Sequence, residues 1–493
     1  MTATPETTET APPGGRTRRG MTVMIGVLLV AAFVMVLNET VMSIALPHVM
    51  ADFSVPASTA QWLTTVFMLT MAVVIPLTGF VLQRFASRAV FAGALLLFTA
   101  GTLLAALAPA FGVLVAARAL QAAGTAVVLP LLTTTILTFV PVQRRGTVFG
   151  LVSVVISVAP AVGPTLSGVI LSAFGWRAVF VAVLPVAVLA LVLGLVLVRD
   201  IGTPRPLPLD LPSVLLSATA FGALIFGLSS IGESTEGHAL VPPALPVAVG
   251  AAALALFVRR QLRLQRADRA LLDLRPFALR PFSIGVVVLL IAMASLFGAL
   301  ILLPLYLQNV RGLSALETGL AVLPGGVLMG VVAPFIGRLY DRVGPRPLAI
   351  PGAVVLATAL FLMAFLFDER TGALTVTLLH MLLTLGLGFL MTPLMTSALG
   401  SLPQHLYSHG SAIMNTLQQL AGAVGTALFV TLMALGTAGA AAAGAPETAA
   451  QAAGIQQAFL VGAGVAVVAV IAACFVRGPE TRAAQAASGG DTA

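Results

Sequence analysis

Two formal charges stand inside long apolar runs of this chain: Glu39 in VAAFVMVLNETVMSIALP and Arg118 in FGVLVAARALQAAGTAVVLPLL. A charge held in hydrocarbon costs about 2.5–3.5 kcal/mol on insertion scales, so each is expected to face the interior of a helix bundle. Glu39 lies eight residues before Pro47, and Arg118 lies nine after Pro109. At 1.5 Å of rise per residue both sit roughly 12 to 14 Å deep from the same side, where an acid and a base can meet. A buried carboxyl can be neutralised by a proton or by an approaching cation, and the two then exclude each other. That is the chemistry of proton-for-cation exchange. A static ion pair bracing two helices is the other reading of the same residues.

Other reactive constellations are missing from the sequence. All 25 basic residues are arginine, so neither a phosphate-binding GxxxxGK[ST] loop nor a Schiff-base amine is available. The single cysteine, Cys474, excludes an intrachain disulfide and a cysteine metal cluster. His380 is the only histidine well inside an apolar run, and neither an HExxH pattern nor a Ser/His/Asp arrangement is evident. No enzyme activity and no metal site are expected.

The elements that must position Glu39 and Arg118 are membrane helices. The chain is 59% hydrophobic and 9% charged, with a mean hydropathy of +1.07, whereas a soluble domain carries about 25% charged residues. Apolar runs of about twenty residues recur along it, and in lipid they must be helical so that every backbone N–H and C=O is satisfied within the segment. About fourteen such runs are expected, the first beginning near Met21 and leading into Asn-Glu-Thr rather than a cleavage site, so that it stays as a span. With the N-terminus inside, the arginines fall overwhelmingly in the inner loops, and only Arg177, Arg311 and Arg370 fall outside. This asymmetry predicts two cytoplasmic termini. It also explains the net charge of +8 without a nucleic-acid partner, since the arginines are scattered over short loops.

Two inner loops repeat each other. GFVLQRFASRAVF begins at Gly79 and GRLYDRVGPRPLA at Gly337; in both, arginine follows the glycine after five residues (Arg84, Arg342) and again after four more (Arg88, Arg346). QRRGTVFG at Gln143 has a looser counterpart in LYSHGSAI at Leu406. The expected organisation is a tail over 1–20, a six-helix half over 21–198, two further helices over 199–258, a basic linker over 259–281, a second six-helix half over 282–477 and a tail over 478–493. Duplicated six-helix halves around a midplane cavity form an alternating-access architecture. The linker, with seven arginines from Arg259 to Arg280, reads as a helical segment attracted to anionic headgroups, or else as a partner-binding site. Asp341 with Arg84, Arg88, Arg342 and Arg346 is expected to form inter-helix ion pairs that hold the outward-facing state and break during the cycle; the first copy carries Gln83 where the second has Asp341, so the N-terminal latch is expected to be the weaker. The positive-inside pattern alone explains these charges, but not their matched spacing.

From LNETVMSIALP at Leu37 through ARALQAAGTA at Ala117, APAVGPTLSGVI at Ala159, GWRAVFVAVLP at Gly175 and LYSHGSAIMNTLQQLAGAVGTAL at Leu406, nearly the whole chain resembles the major facilitator superfamily. Within it the resemblance is to the fourteen-helix drug:proton antiporters of the lincomycin-resistance and quaternary-ammonium-export type. It implies an all-α polytopic fold in a bacterial cytoplasmic membrane. It also implies export of small amphipathic or cationic compounds, driven by the proton motive force without a cofactor, with protons and membrane lipids as the other partners and a monomer as the working unit. A nutrient symporter of the same fold and a non-transporting membrane sensor are the alternatives.

The resemblance assigns proton coupling to Arg118 in the fourth helix with Glu39, and an antiporter motif to Gly163, Pro164 and Gly168 in the fifth. The other reading of Pro and Gly there is a mere bend. One departure stands out, because the family's first-helix pattern has aspartate two residues before the threonine, where this chain has Asn38 and moves the acid to Glu39. One position turns a side chain by about 100° on a helix, so the carboxylate faces a different part of the bundle. Asn38, Gln61, Trp62, Gln121, Asn415, Gln418 and Gln419 are the candidate cavity residues.

Overall fold

The computed structural model of the chain describes residues 15–198, 200, 208–235 and 242–476. The segments expected to be tails lie wholly (478–493) or largely (1–20) outside them. Fourteen helices among the described residues are long and apolar enough to cross a membrane. They are α1 (Gly15–Phe53), α2 (Trp62–Arg84), α3 (Ser87–Ala106), α4 (Phe111–Phe139), α5 (Arg145–Phe174), α6 (Trp176–Leu197) and α7 (Leu211–Thr235), followed by α8 (Ala244–Leu264), α9 (Arg280–Leu305), α10 (Ala315–Val343), α11 (Arg346–Leu366), α12 (Ala373–Gly400), α13 (Tyr407–Ala442) and α14 (Glu447–Ala473).

Local chemistry sets several of the boundaries. Gly175 (φ 78°) and Gly344 (φ 77°) turn the chain between α5 and α6 and between α10 and α11, in a backbone region that a side chain resists. Ser314 and Glu317 close a reciprocal capping box at the start of α10, satisfying N–H groups that have no partner within the helix. The suspected duplication appears in the backbone as well: a short 3-10 turn precedes α5 (Val142–Arg144), and another precedes α13 (Gln404–Leu406), each after a proline.

The two groups of six helices meet along two seams, α5 against α10 and α2 against α13. Small residues make the first seam close. Gly146 and Gly150, one turn apart on α5, face Ala333 and Gly337 on α10, and a β-carbon added to Gly337 would lie 2.2 Å from the Gly146 carbonyl oxygen. Without a hydrophobic drive between helices in lipid, such backbone approach is what lets dispersion hold them. The second seam is equivalent, with Gly79 of α2 against His409 of α13. Both lie at the end of the bundle that carries the two arginine-rich loops, so the halves are closed at that end.

Helices α7 and α8 pack on each other, and α7 leans on α2 and α13. Arg260 of α8 grips Asp210 through two nitrogens at 2.7 and 2.8 Å, and this bond holds the Asp210 carboxyl below the usual carboxylate range. The linker differs from the helical segment expected from its sequence. α8 ends at Leu264, Asp268 takes a left-handed conformation (φ 50°), and Leu271, Leu272 and Asp273 tuck into the bundle. There the Leu272 N–H donates to Gln261 Oε1 at 3.2 Å, and the Asp273 N–H donates to His409 Nδ1 at 3.4 Å. Two leucines leave water and their backbone groups find partners, which a headgroup-bound surface helix could not offer this segment.

Candidate functional site

Arg118 is 1% exposed, and neutral groups hold it. Its Nη1 donates to Asn38 Oδ1 and to Gln121 Oε1, each at 3.0 Å, and its Nε reaches the Leu63 carbonyl at 3.4 Å. The guanidinium also lies 4.3 Å from the centre of the Phe67 ring. Gln121 is fixed in turn by donating to Thr102 Oγ1 at 3.0 Å, and Thr102 donates to the Phe98 carbonyl at 2.7 Å. Four helices thus converge on one cation: α1, α2 and α4 touch it directly, and α3 acts through Thr102 and Gln121. Hydrogen bonds to a charged group contribute about 1.5–3 kcal/mol each, and a desolvated cation–π contact about 2 kcal/mol. Against an insertion cost of about 2.5–3.5 kcal/mol, these partners suffice to keep Arg118 charged without a carboxylate.

Glu39 stands beside this cluster but not in it. Among the described residues no ion pair within 4.0 Å joins Glu39 to Arg118, although the two act on each other electrostatically. The one-residue displacement explains the arrangement. Asn38, at the position where the family carries aspartate, is fully buried and turned to Arg118, while Glu39, about 100° further round the helix, is only partly buried. A carboxylate next to a fixed cation, not consumed by it and with a side open, can exchange its proton for another cation.

Of the Gly-Pro segment, Gly163 is the point of contact with α1: a β-carbon there would lie 2.3 Å from Thr40 Oγ1 and 3.5 Å from Leu37 Cδ1. Helix α5 therefore touches α1 beside Glu39. Pro164 and Gly168 lie on the same helix. Gly163→Ala is expected to lower the melting temperature of the purified protein by an overpacking cost of about 1–3 kcal/mol. Adding Thr40→Ala should recover most of that loss; a double variant as unstable as the single one would show that this contact is not the cause.

The cavity candidates divide. Asn38 and Gln121 belong to the Arg118 cluster. Trp62 is partly exposed and stacks on Phe226 of α7 with centroids 6.4 Å apart, and Gln61 is exposed just ahead of it; among the described residues the side-chain hydrogen bonds of Arg118 go to other partners. On α13, Asn415 donates to the Ser411 carbonyl at 2.8 Å, Gln419 is half-buried, and Gln418 is buried with its Nε2 lacking a hydrogen-bond partner among the described residues. Gln418 Nε2 is thus a donor in waiting. His380 is buried against Gly325 and the Val322 carbonyl without a well-formed hydrogen bond.

Asp341 crosses the seam by hydrogen bonds to a helix start, not by the ion pairs expected of it. Asp341 turns both carboxylate oxygens to the first turn of α5, accepting from the Gly146 and Thr147 N–H groups at 2.8 Å each and from the Thr147 hydroxyl at 2.6 Å. A helix start offers unsatisfied N–H groups and a positive dipole end, so it binds a carboxylate where an arginine was expected to. In the other copy Gln83 reaches the equivalent place on α13, donating to Ser408 Oγ at 3.1 Å and, more weakly, to the His405 carbonyl at 3.4 Å. The Arg88 backbone N–H donates to Asp200 Oδ1 at 3.1 Å; Arg84, Arg342 and Arg346 border the same loops. Thr102, Phe67 and Thr147 were not singled out from the sequence. Thr147 carried a signal, because it lies in the QRRGTVFG segment recognised only as a repeat.

The Major Facilitator Superfamily profile matches residues 28–426. The chain is 41% identical over 464 residues to an uncharacterized MFS-type transporter, YcnB, of Bacillus subtilis, covering 94% of this chain and 96% of that one. It is 40% identical over 459 residues to the lincomycin resistance protein LmrB of Listeria monocytogenes, covering 92% and 96%. The crystal structure of the human organic anion transporter MFSD10 superposes with a TM-score of 0.62 at 15% identity, over 94% of this chain and 100% of that one, a likeness of fold alone. Two seamed groups of six helices with a further pair, a carboxylate beside a buried arginine and a match spanning residues 28–426 lead to one conclusion: the chain is a multi-pass membrane transporter that belongs to the Major Facilitator Superfamily.

Proposed function

We propose that this chain is a proton-coupled antiporter that exports small amphipathic or cationic compounds by alternating access across a bacterial cytoplasmic membrane, with both termini inside. The observation that carries this reading is the Glu39 carboxylate, partly buried beside an Arg118 that Asn38 and Gln121 already satisfy. Such a carboxylate binds a proton or a cation, one at a time. The cytoplasmic end, assigned by the arginine loops, is closed, so Glu39 communicates with the outside and takes up a proton there. Neutralising it removes its attraction to Arg118 and lets the halves rock to the inward-facing state, breaking the Asp341 bonds to α5. Inside, an amphipathic cation displaces the proton, and the substrate-loaded bundle returns outward. The names of the relatives, resistance to lincomycin among them, support drugs as the substrate class.

The test is accumulation of a fluorescent cationic dye in everted membrane vesicles. Uptake should follow energisation and collapse when an uncoupler dissipates the proton gradient. Dye uptake that persists with the uncoupler, or that is absent with a range of amphipathic cations, would overturn the reading.

A further inference from the structure

Helices α7 and α8 carry a feature that proton exchange does not use. α8 buries Gly250, Phe257 and Gln261 and turns its opposite face outward. Along that face an open apolar groove of about 650 Å³ runs past Leu224 of α7 and Ala255 and Val258 of α8, ending among Arg259, Arg263 and Arg266. The three arginines follow one another at helical spacing on a single face, and all are exposed. Among the described residues none of them makes a hydrogen bond or an ion pair, whereas their neighbour Arg260 points the other way and holds Asp210.

Their height in the membrane matters. Arg259 lies roughly 22 Å and Arg266 roughly 33 Å along the helix from Ala244, against a hydrocarbon thickness of about 30 Å. Long side chains at that level run along the apolar surface and place their charge among the headgroups. The groove floor therefore faces acyl chains while its end presents three uncompensated cations to the polar layer.

We propose that this groove is a binding site for one anionic phospholipid, with its phosphate held by Arg259, Arg263 and Arg266 and one acyl chain laid along Leu224, Ala255 and Val258. Charge decides between the candidate occupants. A cationic amphipath is repelled by three arginines, and a soluble acidic peptide cannot reach a floor that faces hydrocarbon. A bound lipid seats the α7–α8 pair, whose α7 packs on α2 and α13, beside the seam between the two halves.

Native mass spectrometry of the purified full chain tests this, titrating phosphatidylglycerol against phosphatidylcholine of the same acyl chains. The first phosphatidylglycerol should bind at least about tenfold tighter, as three arginines at a headgroup imply. Replacing Arg259, Arg263 and Arg266 together by Gln should erase that preference. Ala255→Trp, which fills the groove and leaves the charge alone, should weaken phosphatidylglycerol binding by about as much. If the triple variant fails to fold, Arg263→Gln alone should reduce the preference by a smaller factor. The proposal fails if the preference survives the arginine substitutions. It fails equally if Ala255→Trp leaves binding unchanged, because the arginines would then be a charged rim without a groove. Lipid counts do not depend on export, so this outcome and that of the antiport reading are separable.

Discussion

Glu39→Gln is expected to abolish uncoupler-sensitive dye export while the protein reaches the membrane at wild-type levels. Glutamine keeps the shape of the protonated acid and loses the charge, so it traps the site in one of the two forms whose alternation drives exchange. The rest of the cluster should survive, since the bonds from Arg118 go to Asn38, Gln121 and the Leu63 carbonyl. Substrate affinity should fall as well. A monovalent cation about 5 Å from the carboxylate, at an effective dielectric constant of about 20, gains about 3 kcal/mol, so its Kd should rise roughly 100-fold. Fluorescence titration of the purified variant with a cationic dye reads this directly, and a neutral dye of similar size should be little affected. Normal resistance or normal dye export in cells carrying Glu39→Gln would remove Glu39 from the coupling mechanism and leave the proton site to be found elsewhere.

Asp341→Asn is expected to open the arginine-loop end. The carboxylate accepts three hydrogen bonds from Gly146 and Thr147, and an amide at the same place can accept on one oxygen only while its NH2 faces a second donor. Charge-assisted bonds contribute about 1.5–3 kcal/mol each. Asp341 is only half-buried, so the net shift is put at about 1.5–3 kcal/mol for the set, a factor of roughly 10 to 100 in the balance between the closed and open ends. Ser153 reports on that end, because it is buried at the interface of the halves with its hydroxyl 2.7 Å from that of Thr392. With Cys474 replaced by Ser, a cysteine introduced by Ser153→Cys should react with a maleimide at least tenfold faster when Asp341→Asn is added. Unchanged labelling would mean that the seam glycines alone hold this end shut. Gln83→Ala should move the same rate far less, since a neutral amide donating to Ser408 and a carbonyl contributes only about 0.5–1.5 kcal/mol per bond.

The contrast between these two loops shows where reading residues in order stops. Gly79 and Gly337, with arginines at matched spacing, reveal that the loops are copies, and Asp341 against Gln83 reveals that one has lost its acid. What the acid binds is another matter. Its partners lie nearly 200 residues away, at the start of a helix whose backbone N–H groups leave no trace in composition, and the arginines beside Asp341 are the more conspicuous bait. The linker misled for a related reason. Seven arginines overshadow Leu271 and Leu272, yet apolar burial, being non-directional, goes wherever the packed helices leave room.

Sequence alone determined what each segment must satisfy for itself. Fourteen helices follow from it because lipid supplies no hydrogen bonds and the requirement closes within each run of about twenty residues. The isolation of Glu39 and Arg118 follows too, because a charge in an apolar run stands out whatever surrounds it. Only the tertiary structure decided who meets whom. Asn38 rather than Glu39 takes Arg118, since about 100° of helix rotation separates adjacent residues and the angle at which α1 faces α4 is set by every helix packed around them. Pairing across a bundle depends on rotations and depths that are collective properties of the packing, and no local pattern of residues encodes them.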